Sequence, residues 1–147
     1  MSILQTMSDI ENLFSIFDDP KDRLAQLMDI AKANDGLPIN EKTEKTRVRG
    51  CASQAWIVGE KMEDSYVFKC DSDALIVKGL LSLLCRIFSG HSSKEIHSLD
   101  HFKVLDLIGL SGSISAQRTN GFANAVDKIH KIAVWITSKI IEKNYSE

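Results

Sequence analysis

Near the start of the chain apolar residues recur at helical spacing, with Ile10, Leu13, Phe14 and Phe17 on one stripe. Ser8 followed by Glu11 suits a capping box in front of them, which predicts a short amphipathic helix. Asp19 and Pro20 open a second helix, because aspartate caps well and proline fits the first turn. Leu24, Leu27, Met28 and Ala31 form its apolar stripe, and residues 34–36 end it. The period is then lost: residues 37–46 are polar, contain Pro38 and Asn40, and read as a surface loop. Residues 47–51, 55–59 and 66–70 are short segments with β-branched and aromatic content, and the polar residues 60–65 suit a hairpin turn. The pattern predicts a small three-stranded antiparallel sheet.

Asp71, Ser72 and Asp73 are placed to cap a helix over residues 74–88, which is apolar on nearly all sides and stops at Gly90. Such a helix is expected at the centre of the core. Ser92 with Glu95 reads as a capping box for one or two turns, residues 100–108 as another short helix, and residues 110–118 as a Ser/Gly-rich connection. Phe122, Val126, Ile129, Ala133, Ile136 and Ile140 then spell a long closing helix. Helices, then strands, then helices give an α+β fold with the helices packed on one face of the sheet. With 147 residues and 44% hydrophobic content, one domain over residues 1–147 is expected.

Charge narrows the function classes. Eighteen Lys and Arg against 20 Asp and Glu give a formal −2, so no global field draws the protein to nucleic acid or to an anionic membrane. Residues 74–88 are interrupted by Lys78 and Arg86 and are too short to span a bilayer. The N-terminal residues show no basic start, long apolar stretch or small-residue cleavage site, so neither a signal nor a transit peptide is expected. A cytoplasmic location is the expectation.

Three cysteines, with 18 and then 14 residues between them, suit neither a disulfide framework nor paired metal knuckles. Cys51 stands out, in Arg47-Val48-Arg49-Gly50-Cys51-Ala52-Ser53-Gln54. If residues 47–51 are extended, Arg47, Arg49 and Cys51 project to one side, and nearby positive charge favours the nucleophilic thiolate. Gly50 and the small polar residues after Cys51 suit an exposed tip that a partner can approach. Cys85 lies in an apolar run and reads as core. Cys70 adjoins Asp71 and Asp73, whose charge is expected to raise its pKa, and it reads as structural. His91, His97 and His101 read as solvated rather than as metal ligands, and His130 as a surface or half-buried residue; no histidine is selected as a base for Cys51. No nucleotide-binding motif is present. The residues alone yield one reactive thiol.

Residues 49–58, Arg-Gly-Cys-Ala-Ser-Gln-Ala-Trp-Ile-Val, closely resemble the motif around the sulfur-accepting cysteine of the SufE family. Residues 71–80, Asp-Ser-Asp-Ala-Leu-Ile-Val-Lys-Gly-Leu, resemble that family's second signature, and Arg118 with Gly121 is a weaker third match. The resemblance implies an α+β fold shared with U-type iron–sulfur scaffold proteins. It also implies a non-enzymatic carrier and activator, with Cys51 accepting sulfur as a persulfide from a SufS-like cysteine desulfurase and passing it to an iron–sulfur scaffold complex. Pyridoxal phosphate would belong to the desulfurase, and this chain would need no cofactor or metal. Arg47, Arg49, Gln54, Trp56 and Arg118 are the candidate neighbours of the acceptor site. Ala55, Trp56 and Ile57 are expected to shelter the persulfide, with Trp56 equally suited to the core. The alternative is an iron–sulfur or zinc-binding scaffold of related fold, and homodimerisation stays open.

Overall fold

The computed structural model describes residues 2–133. The predicted helix positions Ile136 and Ile140 therefore lie outside the described residues. The chain runs α1 (Ile3–Ser15), α2 (Pro20–Lys32), a 3-10 turn (Ile39–Glu41), β1 (Ala55–Met62), β2 (Ser65–Ser72), α3 (Leu75–Phe88), α4 (Ser93–His97), α5 (His101–Leu107) and α6 (Ala116–Ile132). This is an α+β arrangement of helices and one antiparallel sheet.

The sheet has two strands, not the three predicted. β1 and β2 pair from Ala55 with Ser72 to Met62 with Ser65, so the hairpin turn shrinks to Glu63 and Asp64. The expected strand at residues 47–51 is reduced to one bridge between Arg47 and Trp56. Val48 N–H donates to Ala55 O at 2.8 Å and Ile57 N–H to Thr46 O at 2.9 Å, after which Gly50, at φ +77°, turns the chain away. Pairing therefore stops before Cys51, and the cysteine sits in a loop.

Alternation in the hairpin sends Ala55, Ile57, Tyr66, Phe68 and Cys70 to the core, where α3 and α6 pack. α3 contributes Leu80, Leu83, Leu84, Ile87 and Phe88 to the same buried cluster. Gly79 lets α2 lie close, since a Cβ there would stand 2.3 Å from Leu27 O. α1 begins six residues earlier than its predicted start at Ser8: Ser2 is the cap, and Ile3, Met7, Ile10 and Phe14 form the buried stripe. The capping box of Ser92 and Glu95 and the Asp19 cap with Pro20 are both found, and the short helix expected over residues 100–108 is α5, capped by Asp100.

Asp71, Ser72 and Asp73 do not cap α3, whose cap residue Ala74 makes no side-chain bond. They join three segments instead. Asp71 lies on the face of the hairpin away from the core, yet it is 8% exposed because residues 36–42 fold over it. Its carboxylate accepts from the amides of Leu37 at 3.0 Å and Ser72 at 2.8 Å, and pairs with Lys42 at 3.0 Å and Lys78 at 3.7 Å. Burial pushes its pKa up, but the Leu37 amide, Lys42 and the Ser72 amide together outweigh that and hold it below the usual carboxylate value.

Because the folded pKa is lowered, the stability Asp71 contributes is fully present above the ordinary carboxylate range, near pH 4, and is lost as pH falls through the folded value. Asp71→Asn is expected to lower stability by about 1–3 kcal/mol at neutral pH, as buried amide partners lose a charged acceptor. Urea unfolding at pH 7 and at successively lower pH measures both effects, and the variant should lose part of the acid dependence of the parent.

Candidate functional site

Cys51 is half-buried, whereas Cys70 and Cys85 are 2% and 9% exposed. It stands at the wall of a cavity of about 470 Å³ together with Ala52 and Ser53. Met28 of α2, Leu75, Ile76 and Leu80 of α3, and Phe122 of α6 give the cavity apolar walls, and Arg118 lines it as well. The first turns of α3 and α6 both border the space, so the positive ends of two helix dipoles lie at its wall.

Two contacts fix the cysteine loop. Gln54 N–H donates to the Asp73 carboxylate at 3.1 Å, while Gln54 O accepts from Ser72 Oγ at 2.7 Å and from Asp73 N–H at 3.1 Å. This clamp ties the loop to the chain entering α3, so residues 49–58 and 71–80 form one structural unit. On the other side Cys51 packs on α6, where a Cβ built at Gly121 would come within 3.1 Å of Sγ. Any side chain at residue 121 therefore crowds the sulfur.

The predicted neighbours divide. Arg118 reaches the cavity of Cys51. Gln54 takes part through its backbone, and its side chain is exposed. Arg47 and Arg49 do not line this cavity; both pair with Glu44, at 3.6 and 3.5 Å, beside a separate groove. They separate from the sulfur because the chain turns at Gly50 instead of continuing as a strand. Trp56 belongs neither to the core nor to the shelter: it is half-buried on the outer face of the hairpin, with Lys42 Nζ 5.1 Å from its ring. Ala55 and Ile57 face the core. The apolar residues that line the cavity with Cys51 are instead Met28, Leu75, Ile76 and Phe122, which sequence spacing could not gather around it.

The other candidate groups lie apart from this cavity. Cys70 differs from expectation: the neighbouring Cys85 side chain, helped by Ser82 and Asn34, holds its pKa below the ordinary thiol value against burial and Asp71. Cys85 is pushed well up by the neighbouring Cys70 and by its deep burial. His91 is not solvated but 7% exposed, with Nδ1 3.1 Å from Glu95 Oε2. The rings of His97 and His130 lie 5.0 Å apart at a tilt of 34°, and burial, then the nearby His97, lowers the His130 pKa. No histidine lines the cavity of Cys51. Among the described residues no three of His, Cys, Asp and Glu come together so as to hold a metal ion, and no helix is long and apolar enough to cross a membrane.

Comparison with known proteins adds a family. The model of the SufE family, described as an Fe-S metabolism associated domain, matches residues 8–133. A SufE-like protein of Rhizobium etli is 34% identical over 134 residues, covering 88% of this chain and 90% of its own. The sulfur acceptor protein CsdE of Escherichia coli is 27% identical over 117 residues, covering 79% and 80%. The solution structure of a hypothetical protein from Thermus thermophilus superposes with a TM-score of 0.69 at 17% identity, over 86% of this chain and 91% of that one, which shows a shared fold.

The contact between Cys51 and α6 yields a direct test. Gly121→Val is expected to push the sulfur towards solvent and raise its rate of alkylation by iodoacetamide several-fold, read from intact mass against time. Gly112→Ala, where nothing lies within 4 Å of the added carbon, should leave the rate unchanged.

Proposed function

The chain belongs to the SufE family, and from that premise we propose that it is a sulfur acceptor and activator for a pyridoxal-phosphate cysteine desulfurase, taking sulfur on Cys51. The observation that carries this reading is the position of Cys51, the half-buried cysteine of the three, at the wall of an apolar cavity bounded by both family motifs. The role of CsdE, a sulfur acceptor by name, supports it.

In the proposed step the Cys51 thiolate attacks the terminal sulfur of the desulfurase persulfide. The S–S bond of that persulfide breaks, the desulfurase cysteine leaves as thiolate, and Cys51 carries the sulfane sulfur. One S–S bond forms as another breaks, so no external oxidant or reductant is required. The apolar walls exclude water and small thiols from the product, and the helix ends and Arg118 stabilise its anionic form. A later exchange of the same kind hands the sulfur to an iron–sulfur scaffold complex. The chain acts as a carrier in the cytoplasm, with the pyridoxal phosphate and the C–S bond cleavage on its partner.

Incubation with a SufS-like desulfurase, pyridoxal phosphate and cysteine should add the mass of one sulfur atom. The gain should vanish in Cys51→Ser and persist in Cys85→Ser; a parent protein that never gains sulfur overturns the reading. Arg118→Ala removes one charge-assisted contact, worth about 1.5–3 kcal/mol. It should slow sulfur transfer by about tenfold or more, measured as single-turnover uptake on Cys51, while circular dichroism and thermal unfolding stay as in the parent.

A further inference from the structure

Arg47 and Arg49 lose their expected place beside the sulfur, but they build something else. Together with Lys45 from the same segment and Lys128 and Lys131 of α6, they border a groove of about 360 Å³. Five cations there face two carboxylates, Glu44 and Asp127, a local excess of three positive charges in a chain whose formal total is −2. The remainder of the chain therefore carries −5, so the groove is opposite in sign to the chain as a whole. We propose that this groove docks an acidic segment of the cysteine desulfurase and so sets the orientation in which the partner's persulfide meets Cys51. The inference rests on reading Cys51 as the sulfur acceptor and adds where the partner is held.

Position supports this occupant. Gly121, against the sulfur, and Asn124, Lys128 and Lys131, in the groove, follow one another along one side of α6. Seven residues of helix separate Gly121 from Lys128, about 10 Å along the axis. The loop joins the two places as well, since Gly50 packs on Asn124 while Cys51 packs on Gly121; a Cβ at Gly50 would collide with Asn124, and one at Gly121 would crowd the sulfur. A peptide segment in the groove thus lies about two helical turns from the sulfur, within one ordinary protein interface.

The groove is also electrostatically incomplete. Burial, then Arg49 and then Lys131, lowers the pKa of Lys128, as expected where like charges crowd without enough counter-charge. Lys128 Nζ donates to Lys45 O at 2.9 Å, which holds the two cationic segments together. Glu44 is exposed and shared between Arg47 and Arg49 at 3.6 and 3.5 Å, so a partner carboxylate can replace it at small cost. Nucleic acid is the poorer match, because a phosphate backbone tracks along an extended cationic surface and the molecule beyond this groove is net negative.

The test uses the full chain, a purified SufS-like desulfurase from the same organism, and stopped-flow association at 50 and 300 mM NaCl. Lys128→Glu with Lys131→Glu should slow association at low salt by about tenfold or more and flatten its salt dependence. Lys94→Glu with Lys103→Glu makes the same charge change away from the groove and should retain the parent's rate. If the groove variant fails to fold, Lys128→Gln with Lys131→Gln replaces it and should show a smaller loss in the same direction. Parent-like association of the folded groove variant, in a protein that still gains sulfur on Cys51, overturns the groove and leaves the acceptor reading intact. A parent that takes up no sulfur overturns both, and preferential binding of a single-stranded RNA that the same substitutions abolish overturns the peptide occupant.

Discussion

The buried carboxylate of Asp71 is the constraint on which the arrangement of the site depends. A charge at 8% exposure is tolerated only where it is bonded and paired, and beyond the adjacent Ser72 amide its partners come from three different stretches of the chain. The Leu37 amide draws in the chain after α2, Lys42 brings the loop that follows, and Lys78 adds the first turn of α3. Gly36 makes the approach possible, since a Cβ there would stand 2.4 Å from Asp71 Oδ2, at a φ of +79° that itself favours glycine. With Asp71 fixed, Ser72 and Asp73 fall where they clamp Gln54, and the loop bearing Cys51 is held against the start of α3.

That chain of dependence explains what the sequence revealed and what it hid. Helix positions were legible because caps and apolar stripes are local: Asp19 with Pro20, Ser92 with Glu95, and the apolar run of α3 all lie where their spacing placed them. The N-terminal helix was set too late because two serines compete as caps, and Ser2 wins by bringing Ile3 and Met7 onto the buried stripe. Arg47 to Cys51 misled as a strand because extended residues and a turn look alike until the left-handed φ of Gly50 is known. Asp71 to Asp73 looked like a cap, since acidic and hydroxyl residues before an apolar run commonly are, and their partners 18 to 34 residues away are invisible to local pattern.

The same limits apply to the site. Cys51 stands out in the sequence by its company, a glycine before it and small polar residues after it, and by the family motif, and the structure places it at the wall of a cavity. Its surroundings were not, because Met28, Leu75, Ile76 and Phe122 converge from three helices. Local charge suggested that the arginines beside Cys51 in sequence would activate it, whereas tertiary structure gives the cavity Arg118 and two helix N-termini. The positive groups that border the cavity thus come from α3 and α6, far from Cys51 in sequence, and two of them are backbone dipoles that no count of charged residues records.

A sulfur carrier faces opposing demands, since the persulfide must be closed to water and small thiols yet open to two partners in turn. Apolar walls serve the first demand, but they cannot tell one partner's sulfur from another thiol. The loop geometry separates the tasks: Gly50 sends Arg47 and Arg49 to one side and Cys51 to the other, and Gly121 lets α6 press close enough to support both. On the proposed reading, shelter resides in the cavity and recognition in the surface charge beside it, so the specificity of delivery can change without altering the walls around Cys51.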